Sequence, residues 1–404
     1  MDRRFYLAPA ERCPITVLDD VPLVRLQLWE REPLKEVKKR ARVAAGALLA
    51  VHSSPNQGNM HAPFDGLIKD VTSTYIEIEA QDLPTPMPDI TPPAEGEQAK
   101  APSVLEKRAK AINFDGLDPI ALATALKELG ISVRPFTRDC DLFIINALNP
   151  EPGMLYAQEM LNAHMAVVEA GFAMVKRLNT AKKFILAVPE GNSAVLEGAT
   201  SVPITPMYPA SLARPLISAI TGSEDTRRAT LVRLHVLFQL GLVAQSGLPL
   251  THTVTTAFGQ NFMLPLGTPV ATLLERTGNT PEQGDTVILG GCMRGVAISG
   301  LRRGVRKVDD AMSLVKRGSR PPLADNPCIN CGACVAVCPM RLRPNMLSRY
   351  AEFGLYDHCE KEYIKVCIEC GMCGYVCPAC RPMQQHFRMA KHNLGLSTLQ
   401  HRLR

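Results

Sequence analysis

Four units in series are predicted for this chain of 404 residues: a β-rich N-terminal domain, an α/β domain, a small β domain and a helical, cysteine-bearing C-terminal domain. Together they make a multidomain α+β protein. Three observations predict that class. Apolar and polar residues alternate in short runs early in the chain. A continuous apolar run flanked by helical spacing follows. Near the C-terminus, one cysteine pattern occurs twice. A chain this long is expected to form two to four domains, each able to bury a core.

In the first unit, residues 1–82, apolar runs at 21–26 and 47–51 have strand length, and residues 66–71 and 75–78 alternate as half-buried strands do. Residues 83–104 are rich in proline and acidic side chains and read as a linker. In residues 105–225, helical spacing over 119–129 starts at Asp118-Pro119 and stops at Gly130. The unbroken apolar run 141–146 has the composition of a parallel strand buried on both faces. A long helical segment at 154–178 and a second strand at 183–188 complete a doubly wound, Rossmann-like pattern. Short strands return over 233–289, with Gly247, Gly267 and Gly284 at turns, so 226–305 is expected to be a small β-grasp-like domain. Residues 306–404 carry the repeated cysteines, between helical sequence at 344–353 and 383–393.

The repeated pattern reads Cys328-Ile-Asn-Cys331-Gly-Ala-Cys334-Val-Ala-Val-Cys338-Pro339 and then Cys367-Ile-Glu-Cys370-Gly-Met-Cys373-Gly-Tyr-Val-Cys377-Pro378. Each is C-x2-C-x2-C-x3-C-P, the spacing that holds a [4Fe–4S] cluster in two-cluster ferredoxins. Three thiolates at that interval let one loop wrap three corners of a cubane. The fourth cysteine leaves the loop and ligates the other cluster. By that rule Cys328, Cys331, Cys334 and Cys377 hold one cluster, and Cys338, Cys367, Cys370 and Cys373 hold the second. Zinc knuckles or disulfides would not require the doubled pattern with its prolines. The pattern points to an electron carrier, whose cysteines are ligands and not catalysts.

Of the 13 cysteines, the remaining five are Cys13, Cys140, Cys292, Cys359 and Cys380. They are scattered and expected to be apolar fillers, with Cys359 and Cys380 near enough to the ligand loops to act as substitutes. Cysteines used for metal in a long chain point to a reducing compartment. There is no secretory pattern behind Met1 and no run of about 18 apolar residues that could span a bilayer. The net charge of +6 is mild but uneven. Basic runs at 302–307 and 381–391 are read either as solvated faces or as a docking face for an acidic partner or anionic lipid. Nucleic acid is excluded as a partner by the lack of aromatic interleaving or a binding motif.

Four stretches carry a resemblance to one family. His61-Ala62-Pro63-Phe64-Asp65-Gly66, Ile145-Asn146-Ala147-Leu148-Asn149-Pro150-Glu151-Pro152, Gly290-Gly291-Cys292-Met293-Arg294-Gly295 and the cysteine pattern with Gln384-Gln385-His386-Phe387-Arg388 resemble, in this order, segments of the RnfC family, a component of the Rnf electron-transport complex. The resemblance implies a barrel-sandwich-like fold for residues 1–82 and a two-cluster ferredoxin fold for 306–404. The first turn is also similar to those of lipoyl and biotinyl carriers, but no lysine stands at a hairpin tip. Two departures matter. Where the family has a glycine-rich loop for NADH and FMN, this chain reads Gly116-Leu117-Asp118-Pro119-Ile120-Ala121. Asn149 stands where the family has an acid, while Glu151 remains. Both departures argue against FMN and NADH as cofactors.

The expectation is a peripheral electron-transfer subunit of a membrane-bound, Rnf-type oxidoreductase that couples electron flow to Na+ or H+ translocation. The isolated chain would carry electrons only. Its partners would be the other subunits of the complex and a redox protein such as ferredoxin or a cytochrome, on the cytoplasmic side of the inner membrane. Two rivals remain: a soluble flavin- and NADH-dependent reductase of the cobalamin-reductase kind, and an iron–sulfur adaptor of another dehydrogenase.

Overall fold

Alternation in the first strands has a direct structural counterpart. In Leu23–Gln27, Val24 and Leu26 point into the core and their neighbours away from it; in Tyr75–Ala80, Ile76 and Ile78 enter the same core, while Glu77 on the other face is buried too, under Arg25 and Arg302. The computed structural model describes residues 5–7, 12–81, 105, 107–223, 225–319, 323 and 326–396. The expected linker at 83–104 lies outside them. Leu23–Gln27, Tyr75–Ala80, Gly66–Val71 and Arg42–Val43 form one antiparallel sheet. Arg31–Pro33, Leu48–His52 and Met60–His61 form a second. Val24, Leu49, Ile68, Ile76 and Ile78 are fully buried in the core these sheets share.

The α/β unit is a four-stranded parallel sheet in the order Thr200–Ile204, Lys183–Pro189, Leu142–Asn146, Ala229–Arg233. Phe143 and Ile145 enter one core and Ile144 the other, which is why the strand reads as apolar throughout. Two sequence expectations are corrected here. The segment 154–178 is two helices, Tyr156–Ala163 and Met165–Leu178, broken where His164 leaves the helical region (φ −126°, ψ 31°). The apolar period runs on through the break, so no residue pattern announces it. The run after Arg233 is the helix Leu234–Ser246, ended by Gly247 in the left-handed conformation, and not a strand. It is buried on most sides, with even His235 and Gln239 inside, so no polar stripe distinguishes it from a buried strand.

The expected boundaries move as well. Strand Ala229–Arg233 pairs with Leu142–Asn146, so the α/β unit continues past 225 through the helix that follows. The third unit is a six-stranded sheet in the order Ile15–Val17, Gln260–Pro265, His252–Ala257, Ala311–Val315, Thr286–Leu289, Val296–Ile298. It borrows one strand from the stretch assigned to the first domain and another from beyond 305, because only pairing satisfies their backbone groups.

Helices Met165–Leu178 and Leu234–Ser246 cross where Gly171 and Gly241 meet. A methyl group on Gly241 would strike the carbonyl of Val167, and one on Gly171 would strike that of Leu237. Gly241→Ala is therefore expected to lower stability by about 1–3 kcal/mol, the cost of overpacking a core. Urea unfolding measures it, and a neutral result would mean that the helices can slide apart.

Candidate metal centre

The two cysteine loops fold alike because their sequences repeat. Asn330 and Glu369 take positive φ (56° and 53°), as do Gly332 and Gly371 (75° and 79°). Glycine at that position needs no strain to turn the chain, and the short helices Ala333–Ala336 and Met372–Tyr375 follow it. After each Cys-Pro the chain turns again through a residue at positive φ, Arg341 in one repeat and Cys380 in the other. Helices Pro344–Glu352 and Met383–Asn393 then run on from these turns. Cys380 is thus the counterpart of an arginine, a turn residue.

Two cavities lie among these elements. Cys328, Cys331, Cys334 and Cys377 line the first, of about 300 Å3 counting its open mouth, beside Asn345 and Met383. Cys338, Cys367, Cys370 and Cys373 line the second, of about 400 Å3 counting its open mouth, with Leu347, Gln384 and Phe387. Each cavity takes three cysteines from one loop and the fourth from the other. Among the described residues no three His, Cys, Asp or Glu side chains close on a single ion. The donors are instead spread around a space, four thiols to each, and such a set suits a multinuclear cluster. Burial pushes the Cys370 thiol up to about 12 and raises Cys373, Cys367 and Cys334 as well. Metal loading would have to release those protons.

The other five cysteines line neither cavity. Cys359 is fully buried with its thiol against the Leu347 carbonyl, 3.6 Å away, and burial raises it to about 11. Cys292 approaches the Pro152 carbonyl at 3.4 Å, and Cys13 that of Gly259 at 2.9 Å.

The second cavity is wrapped by the rest of the chain and the first is not. Tyr208 donates its hydroxyl to the Cys370 carbonyl at 2.5 Å, and Gln384 donates to that of Met293 at 2.8 Å. Ile368 packs with Leu7, Tyr208 and Leu212, whereas its counterpart Ile329 is 65% exposed and Cys331 is exposed. Under the second loop, Lys391 donates to the Cys367 carbonyl (2.7 Å) and to Glu369 (2.8 Å), and Arg388 donates to Glu369 from the other side (3.2 Å). Arg381, 1% exposed, pairs with Glu352 and donates to the Asn326 carbonyl at 2.6 Å. In the other basic run, Arg306 binds Asp309, while Lys307 donates to Ser132 at 2.9 Å. Most of the cations read as a docking face are internal struts. Arg302 differs in exposure, 74% open although it reaches Glu77.

The segment that replaces a glycine-rich loop is a capped helix start. Asp118 accepts hydrogen bonds from the amides of Ile120 (2.8 Å) and Ala121 (2.9 Å) and caps helix Pro119–Glu128 with its own carboxylate. Asn149 is fully buried, donating to the Leu7 carbonyl (3.0 Å) and accepting from the Ala157 amide (3.0 Å). His61, 6% exposed, lines none of the cavities described.

Glu151 is 2% exposed and accepts from the amides of Met293 (2.9 Å) and Arg294 (3.1 Å). Burial outweighs those bonds and pushes its carboxyl from 4.5 up to about 7. The folded state keeps a proton that the unfolded chain releases, so stability falls as pH rises from 4.5 to about 7. The loss across that window is about 3 kcal/mol. Glu151→Gln is expected to flatten this slope in urea titrations at several pH values. A slope unchanged by the substitution would place the effect elsewhere.

These loops belong to a recognised class: residues 322–378 match the family described as a 4Fe-4S dicluster domain. The resemblance extends over nearly the whole chain. It is 28% identical to the C component of the ion-translocating oxidoreductase complex of Rhodobacter capsulatus, over 95% of this chain and 80% of that protein. The C component of the Na(+)-translocating ferredoxin:NAD(+) oxidoreductase complex of Acetobacterium woodii is 25% identical over 86% of this chain and 80% of its own length. The proton-translocating counterpart from Clostridium ljungdahlii is 26% identical over 57% of this chain and 55% of its own length. The chain is a relative of the RnfC proteins of ion-translocating oxidoreductase complexes. No helix among the described residues is long and apolar enough to cross a membrane.

Proposed function

We propose that this chain is the peripheral electron-transfer subunit of an Rnf-type complex, passing electrons through two [4Fe–4S] clusters. The observation that carries the reading is the division of eight cysteines between two cavities, four to each, with the fourth always from the other loop. Cys328, Cys331, Cys334 and Cys377 would hold one cluster, and Cys338, Cys367, Cys370 and Cys373 the other. Each cluster supplies reversible one-electron chemistry. The chain's own residues fix the thiols by the positive-φ turns, exclude water from the second site with Phe387 and Leu347, and leave the first loop open to a partner. In this reading the partners are membrane subunits that couple the electrons to Na+ or H+ movement, and a redox protein on the cytoplasmic side. The finer domain descriptions, barrel-sandwich-like, Rossmann-like and β-grasp-like, belong to the same reading.

The Asp118 cap supports the absence of a flavin or nicotinamide site at that helix, since its carboxylate takes the amides a phosphate would need. Anaerobic purification from native membranes tests the whole reading. About eight iron and eight sulfide per chain, no stoichiometric FMN and co-purifying integral-membrane subunits are expected. Bound flavin with NADH oxidation would favour the soluble reductase, and a soluble dehydrogenase partner would favour the adaptor.

A further inference from the structure

A further cleft lies away from the thiols. It is a cleft of about 960 Å3, counting its open mouth, at the C-terminal ends of the neighbouring strands Leu142–Asn146 and Ala229–Arg233. Strand order in the parallel sheet reverses between these two, and open α/β sheets place ligands at that point. The opposite wall comes from the six-stranded sheet and its 303–310 segment.

Four guanidinium groups line the cleft, those of Arg233, Arg294, Arg303 and Arg306. Asp310 holds Arg233, and Arg306 grips Asp309 at 2.8 and 2.9 Å. Arg303 comes no nearer than 3.8 Å to an Asp309 oxygen that Arg306 already holds. The Nε atoms of Arg294 and Arg303 are buried and have no hydrogen-bond partner among the described residues. A buried donor without an acceptor is rare in a folded protein and calls for an explanation. Trp29, the single tryptophan of the chain, lines the same space, with Arg306 stacked 4.9 Å over its ring.

We infer that this cleft binds a small multivalent oxyanion, a metabolite bearing phosphate or carboxylate groups, through Arg294 and Arg303. A guanidinium fork meets such groups two N–H at a time, and its charge is permanent. Burial pushes the carboxyl of Glu151, the remaining acid in the wall, up to about 7, so near neutral pH it is partly protonated and repels an anion less than a free carboxylate would. Four cations then face the two carboxylates of Asp309 and Asp310. The site is built without the thiols and stands whether or not the reading of the clusters is right.

Trp29 provides the test. The purified full-length protein is titrated at constant ionic strength with inorganic phosphate, pyrophosphate and citrate, with chloride as control, while tryptophan fluorescence is followed. A saturable change is expected with at least one of the three and not with chloride; the preferred probe tells phosphate from carboxylate chemistry. Substituting Arg294→Gln with Arg303→Gln should weaken binding about tenfold or more, while Arg214→Gln, on the exposed start of helix Ala213–Thr221, should not. Circular dichroism and iron content report whether each variant is folded, and Arg303→Lys serves as a second variant that loses the fork and keeps the charge. No saturable response of the unaltered protein up to about 10 mM of every probe overturns the proposal. So does a folded double variant that binds as before.

Discussion

Cys338→Ser is expected to strip iron from the second cavity and spare the first, taking the chain from about eight iron atoms to about four. Cys338 belongs to the first motif in sequence but lines the cavity of the second. The electron paramagnetic resonance signal that survives in Cys338→Ser should therefore match the one that survives in Cys370→Ser. It should differ from that left by Cys331→Ser. Cys377→Ser should behave in the mirror sense and resemble Cys331→Ser. If Cys338→Ser instead resembles Cys331→Ser, each motif holds its own cluster and the crossed assignment is wrong.

Glu369→Ala is expected to cost about 3–5 kcal/mol, the range for removing one partner of a buried ion pair. Glu369 is 3% exposed and stands between Lys391, equally buried, and the half-buried Arg388. Without it two cations lose their counter-charge beside the loop that carries Cys367 and Cys370. Thermal unfolding of the cysteine-bearing region should move down by many degrees, followed by its circular dichroism. The double variant Glu369→Met with Lys391→Met should recover part of the loss, because a well-packed apolar pair avoids the desolvation penalty. A loss under about 1 kcal/mol in Glu369→Ala would mean that water reaches this network.

How much of this was legible in the sequence depended on whether the signal was local. The cysteine loops were, because ligand spacing and the residues at positive φ, Asn330 or Glu369 and then glycine, all sit within one turn of chain. Strands such as Tyr75–Ala80 were legible from alternation, and helix Pro119–Glu128 from its cap. The helix Leu234–Ser246 was not, since burial of most of its surface left it no polar face. Nor was the inward role of the cations. Arg381 and Lys391 stand in a stretch with no acid, and their partners Glu352 and Glu369 come from elsewhere in the chain. Charge in sequence says little about charge in space. The arginine cleft had no signature either, because Arg233, at the end of a parallel strand, and Arg303, in the segment before Ala311–Val315, share one cleft only in the folded chain.

The six-stranded sheet has a practical consequence for anyone who would divide this protein. Its strand Ile15–Val17 is paired with Gln260–Pro265, and Ala311–Val315 joins His252–Ala257 to Thr286–Leu289. The chain departs to build two other units and comes back to be stitched in. Cutting at 82, or just before 306, removes a strand from a piece that would otherwise look whole. Such fragments would expose an unpaired edge, which invites aggregation. A piece carrying only the thiol loops would need to start after Val315, and a piece carrying this sheet cannot start after Ile15. Ribosomal synthesis faces the same seam: the first strand must wait for more than half of the chain to emerge before its partner exists.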